Sequence, residues 1–322
     1  MTWTAKRRAR VSGGELAFVD AGDPQAPSVV LLPGHLTSSY LWRQVVPMLS
    51  PWMHVVAPDL LGRGDSSLDD DADLSLEGQA RTIRELVDGL GIERFAAVGH
   101  AFGGGLAQRL AVDGGIEALV LVDTIAFDAW PPARIRELQS ELHTADAARV
   151  ETWMRGLFDL GMSRRQRLTE DGLEEYLRPF RGAEGVRAFV RVVSAVDGRG
   201  LEGLEDRLAA LEVPALVLFG EEDRLVDPGV AERLGDVLPM ASVGLLPGCG
   251  HFLLEDAAET VAPLIFQWLR RQYLKVEHRH EEAGPVAVYL GRRPPGEGGS
   301  RSESAAPEGG LASRGHRRRE GG

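Results

Sequence analysis

Residues Val98-Gly99-His100-Ala101-Phe102-Gly103-Gly104 decide how this chain is read. They lead from the short apolar run Phe95–Val98 directly into a segment of helical character, Ala101–Val112. Glycines on both sides of a central residue permit a tight strand-to-helix turn, which lifts that residue's side chain above a sheet. The strand–turn–helix context is what separates such a turn from a chance glycine-rich stretch.

Similar apolar runs recur outward from this turn, at Ser28–Leu32, His54–Ala57, Glu117–Val122, Ala215–Phe219 and Ser242–Leu246. Runs of four to six apolar residues without strict alternation fit strands buried on both faces, as in a parallel sheet. Helix-sized segments lie between them at Tyr40–Leu49, Leu76–Leu90, Pro228–Leu238 and Asp256–Tyr273, with Ser75 as an N-cap. This alternation predicts an α/β fold: a mostly parallel twisted sheet flanked by helices. It stops between Phe127 and Leu211, where four helical segments follow one another without a buried-strand run. That stretch is expected to be a helical cap over the C-terminal edge of the sheet, where open α/β folds bind ligands. The expected division is a core of residues 1–126 and 211–275, a cap at 127–210 and a disordered tail at 276–322. Residues 291–322 hold nine glycines and only one large aliphatic residue, Leu311, too little apolar surface to offset the entropy of ordering.

The 322 residues are 43% hydrophobic and 26% charged, which suits a soluble globular chain. With 36 basic and 48 acidic residues the net charge is −12, which argues against a nucleic-acid partner. No apolar run approaches the roughly 18 residues of a membrane span. No hydrophobic stretch follows the basic N-terminus, so it does not read as a signal peptide and the cytoplasm is expected. Cys249 is the single cysteine, so no intrachain disulfide forms. The sequence contains no phosphate loop, dinucleotide fingerprint or metal-ligand cluster. No cofactor or metal is therefore expected, and the expected partner is a small-molecule substrate or ligand. Oligomeric state is left open.

Two further motifs follow strands. Gly220-Glu221-Glu222-Asp223-Arg224 comes after a late strand, and Gly248-Cys249-Gly250-His251-Phe252 after the last. The chain order of turn residue, acid, then histidine resembles the α/β-hydrolase superfamily over residues 12–274 or so. Leu36–Arg43 and Ala57-Pro58-Asp59-Leu60-Leu61-Gly62-Arg63-Gly64-Asp65-Ser66 are similar to the branch containing haloalkane dehalogenases and epoxide hydrolases. The resemblance implies an α/β-hydrolase fold with a helical cap. It places a nucleophile at position 101, a base at His251 and its orienting acid at Asp223. Asp123 is an alternative acid, since some dehalogenases carry theirs after that strand. The oxyanion hole falls to the backbone N–H groups of His35 and Phe102. Where the family usually reads His-Gly, this chain has Pro33-Gly34, with His35 one place later.

The main departure is Ala101. The superfamily seats Ser, Asp or Cys there, and a methyl group can neither attack carbon nor be acylated. Branch members reading Gly-His-Asp-x-Gly-Gly-Gly-x-Ala-Gln are matched by Gly-His-Ala-Phe-Gly-Gly-Gly-Leu-Ala-Gln, so the missing residue resembles Asp more than Ser. Three readings stay open. The chain is a hydrolase whose nucleophile is absent, a ligand-binding or sensing relative, or a protein in which Asp223–His251 works as a general base. The substrate class stays open among ester, epoxide and carbon–halogen compounds. Dehalogenases usually carry Trp where this chain has Phe102, and can carry Asn where it has His35. Epoxide hydrolases use two cap tyrosines, whereas Tyr176 is the only tyrosine between Phe127 and Leu211.

Overall fold

A computed structural model describes residues 5–275. The tail expected at 276–322 lies outside the described residues. Six strands coincide with the six apolar runs: β3 (Ser28–Leu32), β4 (His54–Pro58), β5 (Phe95–His100), β6 (Ile116–Val122), β7 (Ala215–Gly220) and β8 (Ala241–Leu246). Two more, β1 (Arg7–Val11) and β2 (Gly14–Ala21), precede them and were not apparent from apolar runs. β1 is an arginine-rich edge strand, which is why its sequence lacks a buried-strand signature. Its signal is the turn at Ser12-Gly13, where Gly13 takes φ +82° and β1 doubles back on β2 with Val11 opposite Gly14.

The sheet order is β1-β2-β4-β3-β5-β6-β7-β8. β1 and β2 are antiparallel to their neighbours, and every pairing from β4 through β8 is parallel. Side chains alternate across each strand, and the two faces feed different cores. Val30, Leu32, Phe95, Ala97, Leu119 and Leu121 join helices Leu76–Gly89 and Phe102–Asp113 through Ile83, Leu86, Leu106 and Leu110. Val29, Leu31, Ala96, Val98, Val120 and Val122 meet helix Ala258–Gln272 through Val261, Ile265 and Leu269. Burial on both faces explains why these strands read as apolar runs without alternation.

Ser75 caps its helix as expected: its side chain accepts the Gly78 N–H at 3.1 Å. The single helix expected over Tyr40–Leu49 is instead two short pieces, Ser39–Trp42 and Val46–Leu49. The second opens with Pro47 in its first turn, where the missing N–H costs nothing. Between β6 and β7 every regular element is helical, the α-helices being Ala133–Glu141, Ala147–Gly161, Glu170–Leu177, Gly182–Ser194 and Leu204–Ala209. The last of these was not anticipated. The protein therefore has an α/β-hydrolase fold with a helical cap inserted between core strands. Among the described residues no helix is long and apolar enough to cross a membrane.

Candidate active site

The turn after β5 places Ala101 at φ 48°, ψ −113°, a backbone conformation that L side chains rarely adopt. Its neighbours explain how the strain is accommodated. A Cβ on Gly99 would lie 2.2 Å from the Gly103 carbonyl oxygen, and one on Gly103 would lie 2.1 Å from the Leu32 oxygen. Glycine is required at both because strand, turn and helix pack backbone to backbone. Phe102 opens the helix, so its N–H has no intrahelical acceptor.

His251 and Asp223 arrive from the ends of β8 and β7. His251 Nδ1 and Asp223 Oδ2 are 2.8 Å apart, both side chains buried. The other carboxylate oxygen, Oδ1, accepts the N–H groups of Leu225 at 2.8 Å and Val226 at 2.9 Å. With the carboxylate so anchored, His251 carries its proton on Nδ1 and keeps Nε2 as an acceptor. The histidine loop is tied down twice more. His100 Nε2 donates to the His251 carbonyl at 2.8 Å, and burial drives the His100 pKa down to about 3, so the ring stays neutral. Asp256 accepts the Gly250 N–H at 2.7 Å and, from the cap, the N–H groups of Ser163 at 3.0 Å and Arg164 at 2.8 Å. This buried carboxylate joins the cap to the loop that carries His251. Its only sequence signal is an acid five residues beyond the histidine, in the short helix Leu253–Asp256.

Ala101, Phe102, His35 and His251 line one cavity of about 40 Å³, walled on the cap side by Trp130, Ile135 and Leu157. That volume holds a few waters or a ligand of a few heavy atoms. His35 sits 5.5 Å ring to ring from both Phe102 and Trp130. Behind it lies Arg63, whose only sequence signal is its place in the Ala57–Ser66 motif. Arg63 is 1% exposed, donates from Nε to the His35 carbonyl and from Nη1 to the Leu61 carbonyl, and puts Nη2 2.9 Å from His35 Nδ1.

Asp123 does not reach His251. At φ 44° its carboxylate bridges strand ends, Oδ1 accepting the Gly220 N–H at 2.9 Å and Oδ2 the Leu253 N–H at 3.3 Å. Burial, with Asp223 nearby, holds its pKa well above the usual carboxylate range. Tyr176 is also committed elsewhere: its hydroxyl donates to Glu255 at 2.6 Å, which Arg43 grips with both terminal nitrogens.

Cys249 is buried in the loop before His251, its thiol 3.7 Å from the Pro247 carbonyl. Burial pushes its pKa up to about 11, so the thiolate that would react is scarce at neutral pH. Iodoacetamide should leave the native protein almost unlabelled at pH 7 and label it fully once unfolded in urea. Rapid native labelling at pH 7 would show that Cys249 is a reactive thiol rather than a packing residue.

The alpha/beta hydrolase family profile matches residues 29–264. The chain is 27% identical to a haloalkane dehalogenase of Bradyrhizobium diazoefficiens, covering 82% of this chain and 93% of that one. It is 28% identical to a soluble epoxide hydrolase of Corynebacterium, covering 79% and 93%. Its structure is similar to that of an alpha/beta hydrolase fold protein from Burkholderia ambifaria, with a TM-score of 0.75, 26% identity and coverage of 81% and 97%.

Proposed function

The chain belongs to the alpha/beta hydrolase family, and from that premise we propose that it takes a small, largely apolar substrate in the cavity over Ala101. Asp223 and His251 serve as orienting acid and base, and the Phe102 N–H with the loop at His35 receives developing negative charge. The core is residues 1–126 with 211–275, and residues 127–210 close over it. Covalent hydrolysis is not carried out by the chain as written, because position 101 carries a methyl group. The observation that supports this reading is the 2.8 Å His251–Asp223 pair, whose histidine lines the same cavity as the strained turn residue. The substrate falls in the ester, epoxide or carbon–halogen class. Phe102 offers no ring N–H for a leaving halide, and Tyr176 is spent on Glu255, outside the residues lining the cavity. Restoring aspartate or serine at position 101 tests the proposal.

A second reading is supported by the space over Ala101. A water there has His251 Nε2 as its base, so a labile bond can be hydrolysed without a covalent intermediate. General acid–base assistance contributes about 10²–10⁴-fold. The chain as written should then show single-exponential kinetics without a burst. His251→Ala abolishes that turnover and Ala101→Gly leaves it nearly intact. Activity surviving His251→Ala rules the reading out, whereas a ligand bound but never consumed, by thermal shift and mass spectrometry, identifies a binding protein.

A further inference from the structure

Arg63 is a buried guanidinium with no carboxylate in ion-pair range among the described residues. A charge in that position is expensive unless something compensates it, and burial alone draws its pKa down to about 9. Its three hydrogen-bond acceptors are two carbonyls and a ring nitrogen, all neutral. A guanidinium can only donate, so His35 Nδ1 must accept and the neutral ring carries its proton on Nε2. Burial and Arg63 both lower the His35 pKa, which keeps the ring in this neutral form. His35 is 8% exposed, and Nε2 is buried with no partner. The result is an unpartnered N–H donor on a residue that lines the cavity, polarised from behind by a full positive charge. Among the described residues the cavity lining includes Arg134, which pairs with Glu137, and no aspartate or glutamate; Asp223 stands behind His251. The side chains that touch the cavity thus include a cation and no anion. An aspartate at position 101 would have supplied the missing negative charge, and alanine leaves its place open.

We propose that this cavity takes the carboxylate of a small organic acid, seated over the Ala101 methyl and accepting from His35 Nε2–H and the Phe102 N–H, with Arg63 as its counter-charge. The apolar walls at Trp130, Ile135 and Leu157 receive a short hydrocarbon body. The inference rests on the cavity being the ligand site, as proposed above, and adds the charge of the ligand. Arg63 acts here as a positioning residue, since it reaches the ligand through His35.

The test is calorimetric titration of the full chain with propionate and with its uncharged isostere propionamide. Propionate should bind at least tenfold more tightly, as expected for a charge-assisted hydrogen bond. Arg63→Met should abolish that preference by weakening propionate at least tenfold more than propionamide. Should that variant fail to fold, histidine-selective ¹⁵N NMR of the unaltered protein gives the answer. Free His35 should show a protonated Nε2, and propionate should shift that resonance in saturable fashion. Equal binding of the two probes overturns the charge inference and leaves the ligand site standing. Propionamide binding without propionate, or a propionate complex that does not perturb His35, also overturns the inference alone. Binding of neither probe overturns it, and with it the ligand site if the ester, epoxide and haloalkane panel is silent as well.

Discussion

Ala101→Asp raises turnover of a haloalkane, epoxide or ester substrate by a factor on the order of 10³–10⁶ over the chain as written. The scale follows from the loss that a triad enzyme suffers when its nucleophile is removed, about 10⁶ in kcat, less whatever uncatalysed or general-base rate remains. The turn and the base with its orienting acid need no change. The backbone at position 101 already holds φ 48° and ψ −113°, so a longer side chain starts along the trajectory the methyl group has now. The glycines that let the turn close are in place, and so is the His251–Asp223 pair. A new carboxylate would also meet the positive field of Arg63, which offsets part of its desolvation. In the reaction, a carboxylate oxygen forms a bond to the substrate carbon as the leaving group departs. Water activated by His251 then cleaves the resulting ester. Ala101→Ser, run in parallel, favours acyl substrates. The measurement is product formation across the three substrate classes, with circular dichroism to establish folding. If both variants fold and neither turns over any class faster, the chain is not a hydrolase lacking only its nucleophile.

In the Ala101→Asp background, Asp223→Asn lowers kcat by roughly 10³–10⁴, while Asp123→Asn lowers it by less than about tenfold. Asparagine at 223 can still accept the Leu225 and Val226 N–H groups through its carbonyl oxygen. Its NH₂ then faces His251 Nδ1, which must become an acceptor. The imidazole proton moves to Nε2, and the base is lost while its geometry is kept. Asp123 makes its hydrogen bonds to the backbone of Gly220 and Leu253, and an amide can accept only one of them. Its replacement should therefore appear as a lower melting temperature. Steady-state kinetics on both double variants separates the two cases. A larger kcat loss from Asp123→Asn would transfer the orienting role to that residue.

The sheet was legible because the parallel strands are buried on both faces, so β3, β5 and β7 stand out as apolar runs against their surroundings. The first hairpin was not, because β1 lies at an edge and its exposed face is arginine. Much of the site was legible for a different reason. The turn around Ala101 has backbone contacts so close that only glycine fits at Gly99 and Gly103, and that requirement is written directly in the chain. The motif order also brought Asp223 and His251 forward as candidates from opposite sides of 27 intervening residues.

Sequence by itself determined the fold class, the strand-to-helix turn with its methyl group, and a candidate acid and histidine that follow strands. Tertiary structure alone decided which acid faces His251, because Asp123 and Asp223 both end strands and differ only in where their carboxylates point. It also decided what Arg63 does. Nothing local distinguishes that arginine from those on the surface, and its meaning comes from what surrounds it after folding: two carbonyls, the rings of His35 and Phe102 and, among the described residues, no carboxylate in ion-pair range. Local sequence specifies backbone geometry, because steric limits act between near neighbours. Charge compensation is settled between residues far apart in the chain, and it exists only once packing has excluded water from around them.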